Sequence, residues 1–331
     1  MKCTNRRYGT GIACLLTAMA LTLSGCGNAA FDMAYSAGSN ISSFNVISGQ
    51  DTGTAVPFSR NLCVVTGDVT EGTDADMSKT SAALLLSVND NQVIYAKNVH
   101  QTLNPASLTK VMTALVVLRY GNLDQRLTAG NSVNITEAGA VLCGLKSGDT
   151  MTMDQALRIL LIYSANDAAM LIAENVGGSV DHFVEMMNEE AARIGATNTH
   201  FANPHGLTDP NHYTTAYDLY LMFNEAIKYE TFNEIIHMTG YQTVYYDKNG
   251  QEKQFDRATT NQFLKTGSGY SAPSGVTVIG GKTGTTKAAG HCLMLLARDV
   301  NGAPYIAVAM GVPSTQELYV SMADLLEEIQ K

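Results

Sequence analysis

The chain has 331 residues and a formal net charge of −9, with 45% hydrophobic and 15% charged residues. This length suits one large domain or two small ones, and the hydrophobic content is ordinary for a soluble globular core. The sequence contains no Lys/Arg-rich run. We therefore discount a nucleic-acid partner, because binding one requires a basic footprint.

The N-terminus has the pattern of an export signal. Basic residues precede an apolar stretch from Ile12 to Leu23 that is too short for a comfortable bilayer span. The stretch runs into L-S-G-C, which resembles a bacterial lipobox, whose cysteine becomes lipidated. We predict a lipoprotein signal peptide at residues 1–25 and a lipid on Cys26 that anchors the protein to the outer face of a cell membrane. The alternative is an ordinary signal peptide with a chance cysteine.

Residues 26–79 are rich in Ser, Gly, Thr, Asn and Asp and sustain no helical period, so we predict a tether with one strand at 61–65. Three cysteines lie beyond Cys26 and show no short paired spacing. That pattern favours free thiols over a disulfide framework or a zinc site, although one disulfide remains open in an oxidising compartment. These cysteines are Cys63, Cys143 and Cys292.

From residue 80 the pattern becomes that of a folded domain, predicted to extend to residue 331. Apolar runs on either side of N-D-N at 89–91 predict a β-hairpin. Further β segments near the C-terminus and helices between them indicate an α+β fold, an antiparallel β-sheet covered by helices with an all-helical insert. The predicted helices are 107–120, 154–163, 166–176, 180–194, 216–228 and 317–329; the predicted later strands are 241–246, 276–282, 291–298 and 305–311.

The first chemical motif is S-x-x-K, formed by Ser107 and Lys110 at the start of a predicted helix. Residues three apart lie on one helix face, so the hydroxyl and the amine can be hydrogen-bonded. A serine becomes a good nucleophile when a base takes its proton, and neutral Lys110 could be that base. Keeping a lysine neutral near pH 7 costs roughly 4–5 kcal/mol, which burial and a second cation could supply. The alternative is an N-capping serine with a solvated lysine.

The second motif is S-x-N, formed by Ser164 and Asn166 at another predicted helix start. As a functional motif it supplies a proton-relay hydroxyl and an amide that holds Lys110 and a substrate carbonyl. The alternative is structural, because Ser164 and Asp167 have the spacing of a capping-box-like pair.

The third motif is K-T-G-T, formed by Lys282, Thr283, Gly284 and Thr285 at the end of a β-branched strand. The glycine would let a substrate lie close to the strand, and the lysine would help to keep Lys110 neutral. A phosphate-binding loop is rejected, because Val276 stands where that motif requires glycine.

These motifs occur in the order S-x-x-K, S-x-N, K-T-G, which is a strong signal together although each is weak alone. The set resembles the penicillin-recognising serine acyl-transferases, whose fold is that of β-lactamases and transpeptidases. Residues 104–114 and 195–207 are similar to segments of the D-alanyl-D-alanine carboxypeptidases, and the resemblance covers about residues 80–315.

The resemblance implies a cell-surface enzyme that uses no metal or other cofactor. It would attack the penultimate D-alanine carbonyl of a peptidoglycan stem pentapeptide, release D-alanine and hydrolyse the acyl-enzyme, and β-lactams would acylate the same serine. The oxyanion hole would be the backbone N–H groups of Ser107 and Thr285. The implied catalytic residues are Ser107, Lys110 and Ser164, and the implied substrate-binding residues are Asn166, Lys282, Thr283, Gly284 and Thr285.

One departure from the family pattern concerns the terminal carboxylate of the substrate. Some members place an arginine after the strand that ends near residue 310 to bind this group, and residues 311–316 contain none. We therefore expect Thr283, Thr285 and Lys282 to bind the carboxylate, together with Lys287.

Several alternatives remain open. A transpeptidase or endopeptidase would use the same acyl-enzyme and differ mainly in the group that attacks it or the group that leaves. A β-lactamase would need a Glu-x-x-Leu-Asn-type loop, which residues 167–281 lack. A non-catalytic penicillin-binding sensor would not need the full set of catalytic residues. A zinc carboxypeptidase is disfavoured because no H-E-x-x-H occurs. We expect His200 and His205 to pack or hydrogen-bond in a loop near Asp209.

Overall fold

The structure is a computed structural model that describes residues 62–331. The predicted signal peptide, Cys26 and the first part of the predicted tether lie outside these residues. Inside them, no helix is long and apolar enough to cross a membrane.

Residues 62–79 contact the domain instead of leading away from it. Cys63 and Val65 are buried, and the Cys63 N–H donates to the Tyr220 hydroxyl (2.9 Å). Residues 62–65 form no strand, contrary to that part of the prediction for 61–65. The packed domain therefore begins before the predicted boundary at residue 80.

A five-stranded antiparallel sheet forms the centre of the domain, and its strands are β1 (Ala82–Ser87), β2 (Gln92–Lys97), β7 (Thr277–Thr286), β8 (Gly290–Arg298) and β9 (Pro304–Val312). They lie in the order β2-β1-β9-β8-β7. Helices cover both of its faces, and all six residues of the first strand are buried. Strand β7 therefore lies at an edge of the sheet.

A second, four-stranded sheet shows that the insert is not all-helical, which corrects that part of the prediction. Its first two strands have three residues each, too few to show the alternation by which strands are recognised. They are held by pairing, since Thr150 lies opposite Tyr246. The strands are β3 (Arg126–Thr128), β4 (Thr150–Thr152), β5 (Gly240–Tyr246) and β6 (Glu252–Ala258).

The helices agree closely with the sequence pattern, and the predicted α+β fold class is confirmed. The helix at 230–237 and the 3₁₀ and π turns were not predicted from the sequence. A 3₁₀ turn at Ala106–Thr109 and a π turn at Ile159–Tyr163 lie at the two helix ends that carry the serine motifs. The helices are α1 (Lys110–Tyr120), α2 (Met153–Arg158), α3 (Asn166–Gly177), α4 (Val180–Arg193), α5 (Ala216–Ala226), α6 (Glu230–His237) and α7 (Thr315–Glu327).

Candidate active site

Ser107 lies in a strained turn at the start of α1. The preceding residue, Ala106, has φ 48°, a left-handed conformation that costs a non-glycine residue about 1–2 kcal/mol. The turn is held by Thr109, whose hydroxyl donates to the Ala106 carbonyl (2.8 Å). His212 Nε2 lies 2.8 Å from the same hydroxyl, and His212 Nδ1 accepts from the Ala202 N–H (3.1 Å), so Nε2 carries the ring proton. The serine is thus positioned by a buried hydrogen-bonded chain.

Gly206 packs against this turn and leaves no room for a side chain. It has φ 87°, and a Cβ there would clash with the Ala106 carbonyl oxygen. Gly206→Ala is expected to lower the free energy of unfolding by about 3–5 kcal/mol, the sum of left-handed strain and overpacking. Gly250→Ala is the matched control: it has φ 78° but no atom within 4 Å of its Cβ, so strain alone should cost about 1 kcal/mol. Urea unfolding measures both, and equal losses would contradict the close packing.

Lys110 is fully buried directly below the serine. Its Nζ donates to Ser107 Oγ (2.9 Å), Asn166 Oδ1 (2.6 Å) and the His205 carbonyl (2.6 Å). Burial holds the pKa of Lys110 well below its ordinary value, and the charge of Lys282 lowers this pKa further, whereas Asp167 opposes the shift. The site therefore favours an uncharged amine. In that state the amine keeps two protons for Asn166 Oδ1 and the His205 carbonyl, and its lone pair accepts from the Ser107 hydroxyl.

Lys282 is the second buried amine and faces the S-x-N motif. Its Nζ donates to Ser164 Oγ (2.8 Å) and to the Thr283 carbonyl (2.8 Å), and burial lowers its pKa to about 7. Ser164 does not cap α3: it follows the π turn with φ 69°, and Ala165 stands at the cap position without a side-chain hydrogen bond. The left-handed backbone instead directs the hydroxyl to the amine.

Asp167 has a role that the sequence did not reveal. Its buried carboxylate accepts from the backbone N–H groups of Cys143, Gly144 and Leu145, at 2.8–3.0 Å. The Asn166 N–H donates to the Val141 carbonyl (2.8 Å). The loop from 141 to 145 is therefore bound to the start of α3, beside the S-x-N motif.

The K-T-G-T motif lies inside the edge strand and not at its end, because pairing with β8 continues to Thr286 opposite Gly290. Gly284 also allows a close approach within the protein itself. A Cβ there would lie 3.0 Å from both the Pro105 carbonyl and the Ser107 N–H nitrogen. The glycine thus lets the strand lie against the nucleophile turn, which brings the first and third motifs together.

A cleft of about 220 Å³ runs between β7 and the helical side of the site. Five of the predicted site residues line it: Ser107, Ser164, Thr283, Gly284 and Thr285. The other three are buried beneath the cleft walls: Lys110 is hydrogen-bonded to Ser107 and Asn166, and Lys282 is hydrogen-bonded to Ser164. The cleft walls do not include Lys287, which was expected near the carboxylate. Its walls also contain residues that the sequence analysis did not select: Val141, Thr260, Gln262, His291, Cys292, Thr315, Leu318 and Tyr319.

Residues 203–207, N-P-H-G-L, belong to the second segment that resembles the family, and they are hydrogen-bonded to α1. The Pro204 carbonyl accepts from the Thr113 hydroxyl (2.6 Å), and the His205 carbonyl accepts from Lys110. The imidazole of His205 accepts from the Leu207 N–H, and His200 Nδ1 lies 2.6 Å from the Asn211 carbonyl. In residues 62–331 no three His, Cys, Asp or Glu side chains are grouped so as to hold a metal ion.

Comparison with known proteins places this arrangement in a family. A family model described as D-alanyl-D-alanine carboxypeptidase matches residues 69–314. The chain belongs to this family. Curated members similar to it include DacF of Bacillus subtilis, 34% identical over 75% of this chain and 61% of the relative. DacD of Escherichia coli is 32% identical over 70% of this chain and 58% of the relative.

Solved structures agree with the family assignment. The crystal structure of a Streptomyces DD-transpeptidase has a TM-score of 0.68 and 27% identity, covering 79% of this chain and 98% of that one. The chain spans about three-fifths of the length of the curated family members it matches, 61% for DacF.

Proposed function

We propose that this chain is a serine D-alanyl-D-alanine carboxypeptidase that removes the terminal D-alanine from peptidoglycan stem pentapeptides. The observation that carries the proposal is the contact of 2.9 Å between Ser107 Oγ and the buried amine of Lys110. A buried lysine with a lowered pKa has the properties of a general base for a serine hydroxyl. Membership of the D-alanyl-D-alanine carboxypeptidase family supports the choice of substrate.

In the proposed acylation step, uncharged Lys110 takes the proton of Ser107 as Oγ attacks the penultimate D-alanine carbonyl. A C–O bond forms and the carbonyl oxygen becomes an oxyanion, which the backbone N–H groups of Ser107 and Thr285 would stabilise. The C–N bond then breaks, and the departing D-alanine amine needs a proton. Ser164 can supply it and be reprotonated by Lys282, because Lys282 Nζ donates to Ser164 Oγ at 2.8 Å.

In the proposed deacylation step, water attacks the ester carbonyl on Ser107. Lys282, uncharged after acylation, accepts the water proton through Ser164. The ester C–O bond breaks, and charged Lys110 returns its proton to Ser107 Oγ, which regenerates the hydroxyl and the uncharged amine. Asn166 would hold both the amine and the substrate carbonyl, because its Oδ1 accepts from Lys110 and its Nδ2 is a donor. Thr283 and Thr285 on the edge strand would bind the rest of the peptide.

Transpeptidation is the second candidate. The structural neighbour with a TM-score of 0.68 is named a DD-transpeptidase. The two reactions share the acyl-enzyme and differ only in whether water or an amine attacks it. β-Lactams would form the same ester on Ser107 and leave slowly, because the chain lacks the Glu-x-x-Leu-Asn-type loop that activates a deacylating water.

The test is release of D-alanine from a stem pentapeptide by the purified protein. We expect release that benzylpenicillin abolishes and that a chelator leaves unchanged. Addition of glycine as an acceptor distinguishes the second candidate, because a transpeptidase would convert part of the peptide into a glycine adduct. Loss of activity in EDTA with full activity in penicillin would contradict a serine mechanism.

We also propose that the protein acts outside the cytoplasm and is held at the membrane by a lipid on Cys26. The L-S-G-C sequence after a short apolar stretch supports this, and acyl chains bind a bilayer by burying many CH₂ groups. Cys26→Ser is expected to move the protein from the membrane fraction to the soluble exported fraction, measured by fractionation and immunoblotting. Cys63→Ser is the control, and an unchanged membrane fraction for Cys26→Ser would refute the anchor.

A further inference from the structure

The proposed substrate ends in a carboxylate that the predicted site residues do not fully account for. Lys282 donates to Ser164 and to the Thr283 carbonyl, so it is engaged within the site. In residues 62–331 the cleft walls include no lysine or arginine, and His291 is their one basic side chain. Within the described residues, His291 is therefore the one basic side chain that the cleft walls offer to a bound anion.

His291 is placed at the cleft by strand pairing. It lies on β8 directly opposite Thr285 of the K-T-G-T motif, and opposed residues in an antiparallel pair project to the same face. Thr315, the first residue of α7, approaches from the other side. His291 Nδ1 lies 3.3 Å from Thr285 Oγ1 and 3.2 Å from Thr315 Oγ1. Two hydroxyls and a ring thus form a polar cluster at one end of the cleft.

The cluster can donate to an anion in either charge state of the ring. When Nδ1 accepts a threonine proton, Nε2 carries the ring proton and, within residues 62–331, donates to no protein atom. When the ring is charged, both nitrogens donate. The acidic side chain in the first turn of α7, Glu317, accepts from the Ser314 hydroxyl at 2.8 Å. The N-terminal end of α7 also favours negative charge.

We propose that His291, together with the hydroxyls of Thr285 and Thr315, binds the terminal carboxylate of the substrate and makes the enzyme selective for free C-termini. This inference rests on the proposed function. It assigns to an imidazole on β8 the task that Lys287 was expected to share. The same cluster would receive the carboxylate of benzylpenicillin during acylation of Ser107.

The experiment compares ligands with and without the carboxylate. Diacetyl-L-lysyl-D-alanyl-D-alanine is paired with its C-terminal carboxamide, and benzylpenicillin with its methyl ester. For the free acids, His291→Ala should lower kcat/KM and the acylation rate by about 10- to 100-fold, the usual effect of losing a hydrogen bond to a charged group. Rates with the amide and ester should change less than about threefold. His182→Ala, at an exposed histidine on α4, is the control and should match wild type for all four.

The outcomes separate the inference from the proposed function. Equal losses for acid and neutral ligands, or no loss for either, would overturn the role of His291 while wild-type D-alanine release still supported the function. If wild type released no D-alanine, the proposed function would fail. The penicillin and methyl ester rates would then still decide whether His291 binds a carboxylate. Misfolding of His291→Ala is tested separately by its thermal unfolding temperature, which should equal that of wild type.

Discussion

Ser107→Ala is expected to lower acylation by benzylpenicillin and release of D-alanine by about a millionfold, the loss seen when the nucleophile of a serine enzyme is removed. The reason is that alanine has no oxygen to form the ester. Intact-protein mass spectrometry after incubation with penicillin should show one adduct on wild type and none on the variant. Proteolysis should place the wild-type adduct on the peptide that contains Ser107.

A matched control separates this effect from a general loss of serine. Ser78 is exposed and lies outside the cleft, so Ser78→Ala should form the adduct at the wild-type rate. The Ala106 strain and the packing of Gly206 do not depend on the serine hydroxyl, so Ser107→Ala should unfold at the wild-type temperature. An adduct of normal yield on Ser107→Ala would refute the assignment of the nucleophile.

Lys110→Met should lower the acylation rate by about 100- to 10,000-fold, the usual contribution of a general base. Methionine fills a similar volume but cannot take the proton of Ser107 Oγ, which Lys110 Nζ contacts at 2.9 Å. Stopped-flow acylation by a chromogenic β-lactam measures the rate. Lys228→Met, at an exposed lysine paired with Glu225, should leave it unchanged.

The pH dependence provides a second readout for the same base. Only uncharged Lys110 can accept a proton, so the acylation rate of wild type should fall as pH decreases through the pKa of Lys110. Because burial and the charge of Lys282 hold this pKa well below its ordinary value, the rate should be maintained at neutral pH. In Lys110→Met the acidic limb should disappear. An acidic limb that remained in Lys110→Met would contradict the proposed base. So would a wild-type rate that already fell as pH decreased through about 10, the ordinary pKa of an exposed lysine.

The agreement between sequence and structure is greatest where local pattern determines local structure. Runs of apolar residues located α1, α3 and α5 within a few residues, since most of the surface of each helix is buried against the sheet or other helices. It failed for β3 and β4, whose three residues each are held by partners distant in the chain. It also placed the end of β7 too early, because glycine is a poor strand former and pairing with β8 overrides that preference.

The sequence by itself determined the three motifs, their order and the family, because the spacing of Ser107 and Lys110 on a helix already brings a hydroxyl to an amine. Only the tertiary structure decided how the motifs meet. Burial of both lysines lowers their pKa values, the absence of a side chain at Gly284 admits the edge strand, and pairing of β8 with β7 brings His291 to the cleft. Desolvation, close approach and cross-strand contact all depend on residues far apart in the chain, so no local pattern contains them.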